Sequence, residues 1–233
     1  MARYTMVYTD FIDRIDEVSL LRKKASALER SSNSLRHGPE ISALCRASVV
    51  LLSSHIEAYV KELGEHTLDT AHQKLVIRSK IAPQFFYHIS RERIENIRSS
   101  SNPENIANNV QLFIDNDAKY WQGTGAIHGP ISSQDFNAGF SNPKFDKVKA
   151  YFGRFGYSDF RRDFMRLLAR DGTTNEAGLN LIVDTRNAIA HGDPTATKTP
   201  GEVKAMEATA RIFCRTVDTV FANWCKDAFC QIR

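Results

Sequence analysis

Long apolar runs are missing from this 233-residue chain, and no stretch approaches the 18 consecutive apolar residues that a membrane-spanning helix needs. The first residues carry Asp10, Asp13, Asp16 and Glu17 inside a helical pattern rather than a basic start and an apolar core, which is not the pattern of a secretory leader. A cytoplasmic location is the expectation. Cysteine is sparse: Cys45, Cys214, Cys225 and Cys230 form no C-x-x-C pair, so reduced, partly buried thiols are expected rather than a disulfide framework or a zinc site. The seven histidines are scattered, without the H-E-x-x-H spacing of a metallohydrolase, and neither a metal nor a cofactor is expected. Sustained apolar-polar alternation is also lacking, which argues against a sheet.

What the chain has is helical periodicity. Phe11, Ile15, Val18, Leu21, Ala25 and Leu28 recur at spacings of three and four, predicting a helix over about 9–30. Leu44, Ser48, Leu52, Ile56, Tyr59 and Leu63 predict a second over about 40–66, after a polar loop from Ser31 to Pro39. Thr199-Pro200-Gly201-Glu202 reads as a capping box with proline at the first helical position, and Val203 to Trp224 follow as a bundle seam, giving a last helix over about 199–229. A helix over about 174–190 precedes it. Four long helices with one apolar stripe each imply an all-α, up-down four-helix bundle in a single domain. Residues of about 67–172 then form a helical and loop insertion between the second and third core helices. Within it, short helices are predicted over 84–99, 103–116, 144–152 and 158–170, with 122–143 as loop.

Net charge is +4, too small to mark a nucleic-acid binder by itself. Between Lys144 and Arg170, however, eight basic residues face only three acidic ones, interleaved with Tyr151, Phe152, Phe155, Tyr157, Phe160 and Phe164. That pattern fits a phosphate-facing surface, and equally a helix pair with an aromatic core face and a solvated basic face. Lys147, Arg154, Arg161 and Arg162 are the candidates for RNA contact in this stretch. Trp121 either stacks a base or anchors the loop after it.

The densest chemistry lies at Arg186-Asn187-Ala188-Ile189-Ala190-His191-Gly192-Asp193-Pro194. Gly192 suits a left-handed position just past a helix, and Pro194 cannot continue one, so His191 falls at the helix end. Asn187 and His191 are neighbours at i, i+4. Arg186 and His191 are five apart, roughly 140° around a helix of 3.6 residues per turn, so one helix cannot aim both at one target. A two-fold dimer would bring an Arg and a His from each copy to a shared cleft.

This arrangement resembles the HEPN superfamily, whose ribonuclease members carry Arg, a polar residue and then His at the end of a bundle helix. Leu44 to Val60, an apolar run leading into Ser54-His55-Ile56-Glu57-Ala58-Tyr59, is similar to the central helix of the RiboL-PSP/MAE-like HEPN branch. Asn142-Pro143-Lys144-Phe145-Asp146, with Val148, Phe152 and Gly156, is similar to a segment found there before the motif helix. The resemblance extends from about Ile41 to the end of the chain. It implies a metal-independent endoribonuclease acting as a homodimer on RNA, with Arg186 and His191 catalytic and Asn187 orienting the histidine or the phosphate. It further implies a toxin or antiviral defence role, with an antitoxin or regulatory protein as partner. Glu57 is a candidate for holding Arg186 in its rotamer, or else a solvated partner of Lys61. Arg46 and His55, on the same helix, lie within reach of the cleft, and Arg46 is a further candidate for RNA contact. The competing reading is a non-catalytic helical dimer serving as a binding or scaffold module.

Overall fold

The computed structural model describes residues 3–31, 34–122, 125–127, 129 and 131–233. Four long helices make the bundle: α1 (Met6–Glu29), α2 (Gly38–Gln73), α10 (Gly172–Ala190) and α11 (Pro200–Ala228). Seven shorter ones lie between α2 and α10: α3 (Pro83–Ile89), α4 (Arg91–Ser99), α5 (Pro103–Asn116), α6 (Ala118–Trp121), α7 (Ser133–Asn137), α8 (Phe145–Gly153) and α9 (Phe160–Leu168). Among the described residues there is no strand, only an isolated bridge between Ile77 and Ala126. The fold is all-α, and the bundle order is the one the periodicity predicts.

Each long helix has a local cause. The Thr5 hydroxyl caps α1 by accepting the N–H of Tyr8, and it donates in turn to the buried carboxylate of Asp218 on α11. The Thr199–Glu202 capping box starts α11 as predicted. Helix α2 runs nearly two turns past the predicted end at His66, to Gln73, because Thr67, Leu68 and Ala71 continue the buried face. It stops where Leu75 takes φ 51° and the N–H groups of Leu75 and Val76 close back on the carbonyls of His72 and Ala71. This is a helix stop usually marked by glycine; with leucine in its place the sequence carries no stop signal. Residues 35–73 are long and apolar enough to cross a membrane by composition alone. Here Val49, Leu52, Ile56, Tyr59, Val60 and Leu63 are buried within the bundle, and the Tyr59 hydroxyl donates to the Cys214 carbonyl at 2.9 Å. All four cysteines are free and buried.

The insertion departs from expectation in two places. Residues 84–99 form two helices, not one, with the break at buried Ser90, whose Oγ accepts the Trp121 indole N–H at 3.0 Å. Trp121 packs between Phe86 and Phe113, so it anchors its loop. The predicted loop over 122–143 contains α7, capped by Ser132; residues 123, 124, 128 and 130 lie outside the described residues, as do 32 and 33 of the first predicted loop.

In the basic-aromatic stretch, Tyr151, Phe152, Phe155, Tyr157, Phe160 and Phe164 are all buried, and Phe152 and Phe164 pack on Phe221 and Phe213 of α11. The aromatic residues are therefore core. Gly64 of α2 lets this cluster approach. A Cβ there would stand 1.9 Å from the hydroxyl of Tyr151, which is held by Asn137 Oδ1 at 2.5 Å. Gly64→Ala should destabilise the protein by roughly 1–3 kcal/mol, although alanine favours helix. Adding Tyr151→Phe, which removes the clashing oxygen, should recover part of the loss in urea unfolding; no loss in the single variant would refute this packing.

Candidate active site at the end of the third bundle helix

Helix α10 presses closely on α11. Gly178 faces Thr209, where a Cβ would meet the Thr209 methyl at 2.8 Å, and the Asn175 amide donates to the Thr209 carbonyl at 3.1 Å. Leu179, Ile182 and Val183 are fully buried. This packing fixes the rotation of α10 and so the bearing of every residue at its end.

The helix finishes in a tight stop. The Gly192 N–H donates to the Ile189 carbonyl at 3.1 Å and the Asp193 N–H to the Ala188 carbonyl at 3.0 Å, with Gly192 at φ +78°. These are the paired bonds of a Schellman motif, and the left-handed residue between them is best filled by glycine. His191 is the C-cap, its backbone N–H bonded to the Asn187 carbonyl and its side chain exposed, with no hydrogen-bond partner among the described residues. The turn is braced beyond it. Asp193 Oδ1 accepts both the N–H and the hydroxyl of Thr195, which hold its carboxyl below the usual range, with Arg46 adding to the effect. Arg46, from α2, donates to the Asp193 carbonyl at 3.1 Å.

Arg186 is half-buried. One terminal nitrogen, Nη1, donates to Asn142 Oδ1 at 3.1 Å and to Asn187 Oδ1 at 3.0 Å. The guanidinium's other three N–H groups, on Nε and Nη2, have no acceptor among the described residues. Asn142 is held in turn. It sits at φ 54°, a conformation that asparagine tolerates better than most residues, and its own N–H donates to Glu57 Oε2 at 3.2 Å. The other oxygen of Glu57 accepts Lys61 Nζ at 2.7 Å. Two further contacts fasten this segment to α10: Lys144 pairs with Asp184 at 2.6 Å, and the Phe145 N–H, in the first turn of α8, donates to Asn180 Oδ1 at 3.0 Å.

The expected set is thus only partly gathered. Arg186, Asn187 and Glu57 belong to one network, but Glu57 reaches Arg186 through Asn142 rather than directly, and it pairs with Lys61 as well. Asn187 turns its oxygen to Arg186, not to the His191 ring. Arg46 braces the turn carrying His191. His55 lies 3.5 Å from Glu17 of α1, and burial pushes its pKa below the ordinary value. Lys147 is exposed. Arg161 and Arg162 are exposed but paired, Arg161 with Glu176 at 2.8 Å and Arg162 with Asp159 at 3.0 Å. Arg154 is a correction. It is 8% exposed, donates to the Phe136 carbonyl and covers the Tyr151 ring at 5.2 Å, so it braces the insertion and cannot reach RNA. Asn142, which the sequence marks only as part of a family-like segment, proves to be the residue that holds Arg186. Its signal was an asparagine before proline, a pair suited to a turn rather than to a helix start.

The RiboL-PSP-HEPN family matches the chain over residues 9–223. The protein belongs to this HEPN family. No curated protein and no solved structure is a match to the chain. The family match spans the motif helix, the Glu57 helix and the Asn142 segment together, which are the three pieces that the Arg186 network joins.

Two substitutions separate the turn from the anchor. Asn142→Ala should lose roughly 1–2 kcal/mol, because alanine resists the left-handed conformation. Asn142→Gly should keep the turn at a smaller cost while removing the oxygen that holds Arg186. In nitrogen-detected NMR of arginine side chains, the Arg186 signal should shift or broaden in both variants; an unchanged Arg186 in Asn142→Gly would show that Asn142 does not position it.

Proposed function

We propose that this HEPN protein is a metal-independent endoribonuclease whose site is completed by a second copy of the chain. The observation that carries this reading is Arg186: a guanidinium fixed by two asparagines on one nitrogen, with three donors left over, five residues before an exposed histidine on a braced helix stop. A guanidinium so mounted suits a phosphate, which it grips through two parallel N–H donors. HEPN domains are often ribonucleases, which supports the same reading.

The chemistry needs only side chains. One His191 removes the proton from the ribose 2′-hydroxyl, and the 2′-oxygen attacks the adjacent phosphorus. The bond from phosphorus to the 5′-oxygen breaks, and the leaving oxygen takes a proton from the partner's His191. The two Arg186 guanidiniums stabilise the charge that builds on the phosphoryl oxygens. The products are a 2′,3′-cyclic phosphate and a 5′-hydroxyl. A second copy is called for because Arg186 and His191 diverge around one helix. The outer face of α10 also offers a contact, with Leu181 51% exposed between Ala177 and Ala188. A growth-arresting toxin or antiviral effector, restrained by an antitoxin or regulatory protein, is the biological role that such an activity fits.

Arg186→Ala and His191→Ala should each lower RNA cleavage by roughly 10²–10⁴-fold, with circular dichroism unchanged. Activity within threefold of wild type in both would move the protein to a non-catalytic binding module. Cleavage should survive EDTA, and a single deoxynucleotide on the 5′ side of the cut should block it there; 5′-phosphate ends would be incompatible with the scheme. Leu181→Glu, at an exposed position, should leave the fold intact but shift light scattering from dimer to monomer and abolish cleavage. A monomer that cleaves normally would eliminate the composite site.

A further inference from the structure

Along the second half of α11 the structure brings three arginines to one groove. Arg3 precedes α1, Arg215 projects from α11, and Arg233 follows that helix; with Tyr4, Leu167 and Asn223 they help line a cavity of about 490 Å³. No acidic residue lines it. Arg215 is exposed and has no carboxylate partner among the described residues, and Arg3 lies 5.2 Å from the Tyr4 ring centre. Arg233 is oriented from behind: its Nη2 donates to the Asp218 carbonyl at 2.9 Å and lies 3.4 Å from one Asp218 carboxylate oxygen. Its Nε is buried and has no acceptor.

Arg233 is already paired with the Asp218 carboxylate, but Arg3 and Arg215 have no carboxylate partner among the described residues; their like charges repel, and the cost is relieved when an anion binds among them. Three guanidiniums match a ligand of more than one negative charge better than a single carboxylate. The size lies in the range of small-ligand sites, and Leu167 and Tyr4 supply an apolar wall beside the charge. We propose that this groove binds the phosphate groups of a nucleotide, either free or as part of a nucleic-acid strand. Arg215 stands fifteen residues into α11, about 22 Å along the axis from its start beside the motif, given 1.5 Å per residue. The groove is thus a second site, and it does not depend on the cleavage reading.

The test is binding by the full chain carrying His191→Ala, so that no probe is consumed and a failure of the cleavage scheme leaves the measurement intact. The probes are ATP, inorganic pyrophosphate and a fluorescent single-stranded RNA, each titrated against this protein, against the same protein with Arg3→Gln and Arg215→Gln added, and against it with Arg98→Gln on α4 as a charge-matched control. At least one probe should bind and lose about tenfold or more in affinity in the Arg3/Arg215 variant but not in the control. If the source is a strand, the loss appears with RNA, and the slope of log affinity on log salt falls by about one per arginine that contacts a phosphate. If it is a free nucleotide, the loss appears with ATP or pyrophosphate. Equal affinities in the Arg3/Arg215 variant and its parent, equal losses in the control, or no binding of any probe at millimolar concentration would overturn the proposal.

Discussion

Helix α11 is the constraint on which the other elements rest. Val203, Met206, Ala210, Phe213, Cys214, Val217, Val220, Phe221, Ala222 and Cys225 are buried, so apolar residues cover somewhat more than half of the helix's circumference. Helix α1 is tied to it through Thr5 and Asp218, α2 through Tyr59 and the Cys214 carbonyl, α10 through Asn175 and Gly178, and α8 and α9 through Phe152 and Phe164. The buried Asp218 shows how much is invested there. Burial raises its pKa, while the Thr5 hydroxyl and backbone N–H oppose that rise. A carboxylate in such a place is tolerable only with those donors, so α11 and the start of α1 must be placed together.

The four core helices were legible because their burial repeats every three to four residues, and the start of α11 because its cap is made of neighbouring residues. What stayed hidden depends on contacts distant in sequence or on residues used against type. The end of α2 turns on Leu75 doing what glycine usually does. The break at Ser90 is marked locally by nothing stronger than a serine, and it becomes sensible only with the Trp121 indole, 31 residues away. The motif itself was readable as a string, and the helix stop was readable from Gly192 and Pro194. The anchoring of Arg186 was not, because its partner Asn142 lies 44 residues upstream and is held by Glu57, 85 residues further back.

Composition misled in one particular way. Basic and aromatic residues mixed along a segment suggest a surface for nucleic acid, yet folding sorts them onto different faces. The aromatic rings between Tyr151 and Phe164 all enter the core, while Arg161, Arg162 and Arg166 stay in solvent beside carboxylates of their own helix or the next. Arg154 breaks the sorting because Gly153 and Gly156 turn the chain around it, carrying it inward to the Phe136 carbonyl and the Tyr151 ring. Burial pushes its pKa down, and its own ties within the fold occupy it.

The Arg186 site is rigid in its mounting but open in its arrangement. Packing of α10 on α11 sets the helix rotation, the Schellman turn and Arg46 fix where His191 emerges, and Asn142 fixes where the guanidinium rests. Arg186 cannot swing toward His191 without breaking a hydrogen bond that costs about 1 kcal/mol or more to lose, while the His191 ring turns only about a backbone that the helix stop holds in place. A mounting of this kind would be a poor way to build a site within one chain. It suits half of the composite site proposed above, because preorganised groups that cannot converge on each other would meet a second copy's groups without first having to be ordered.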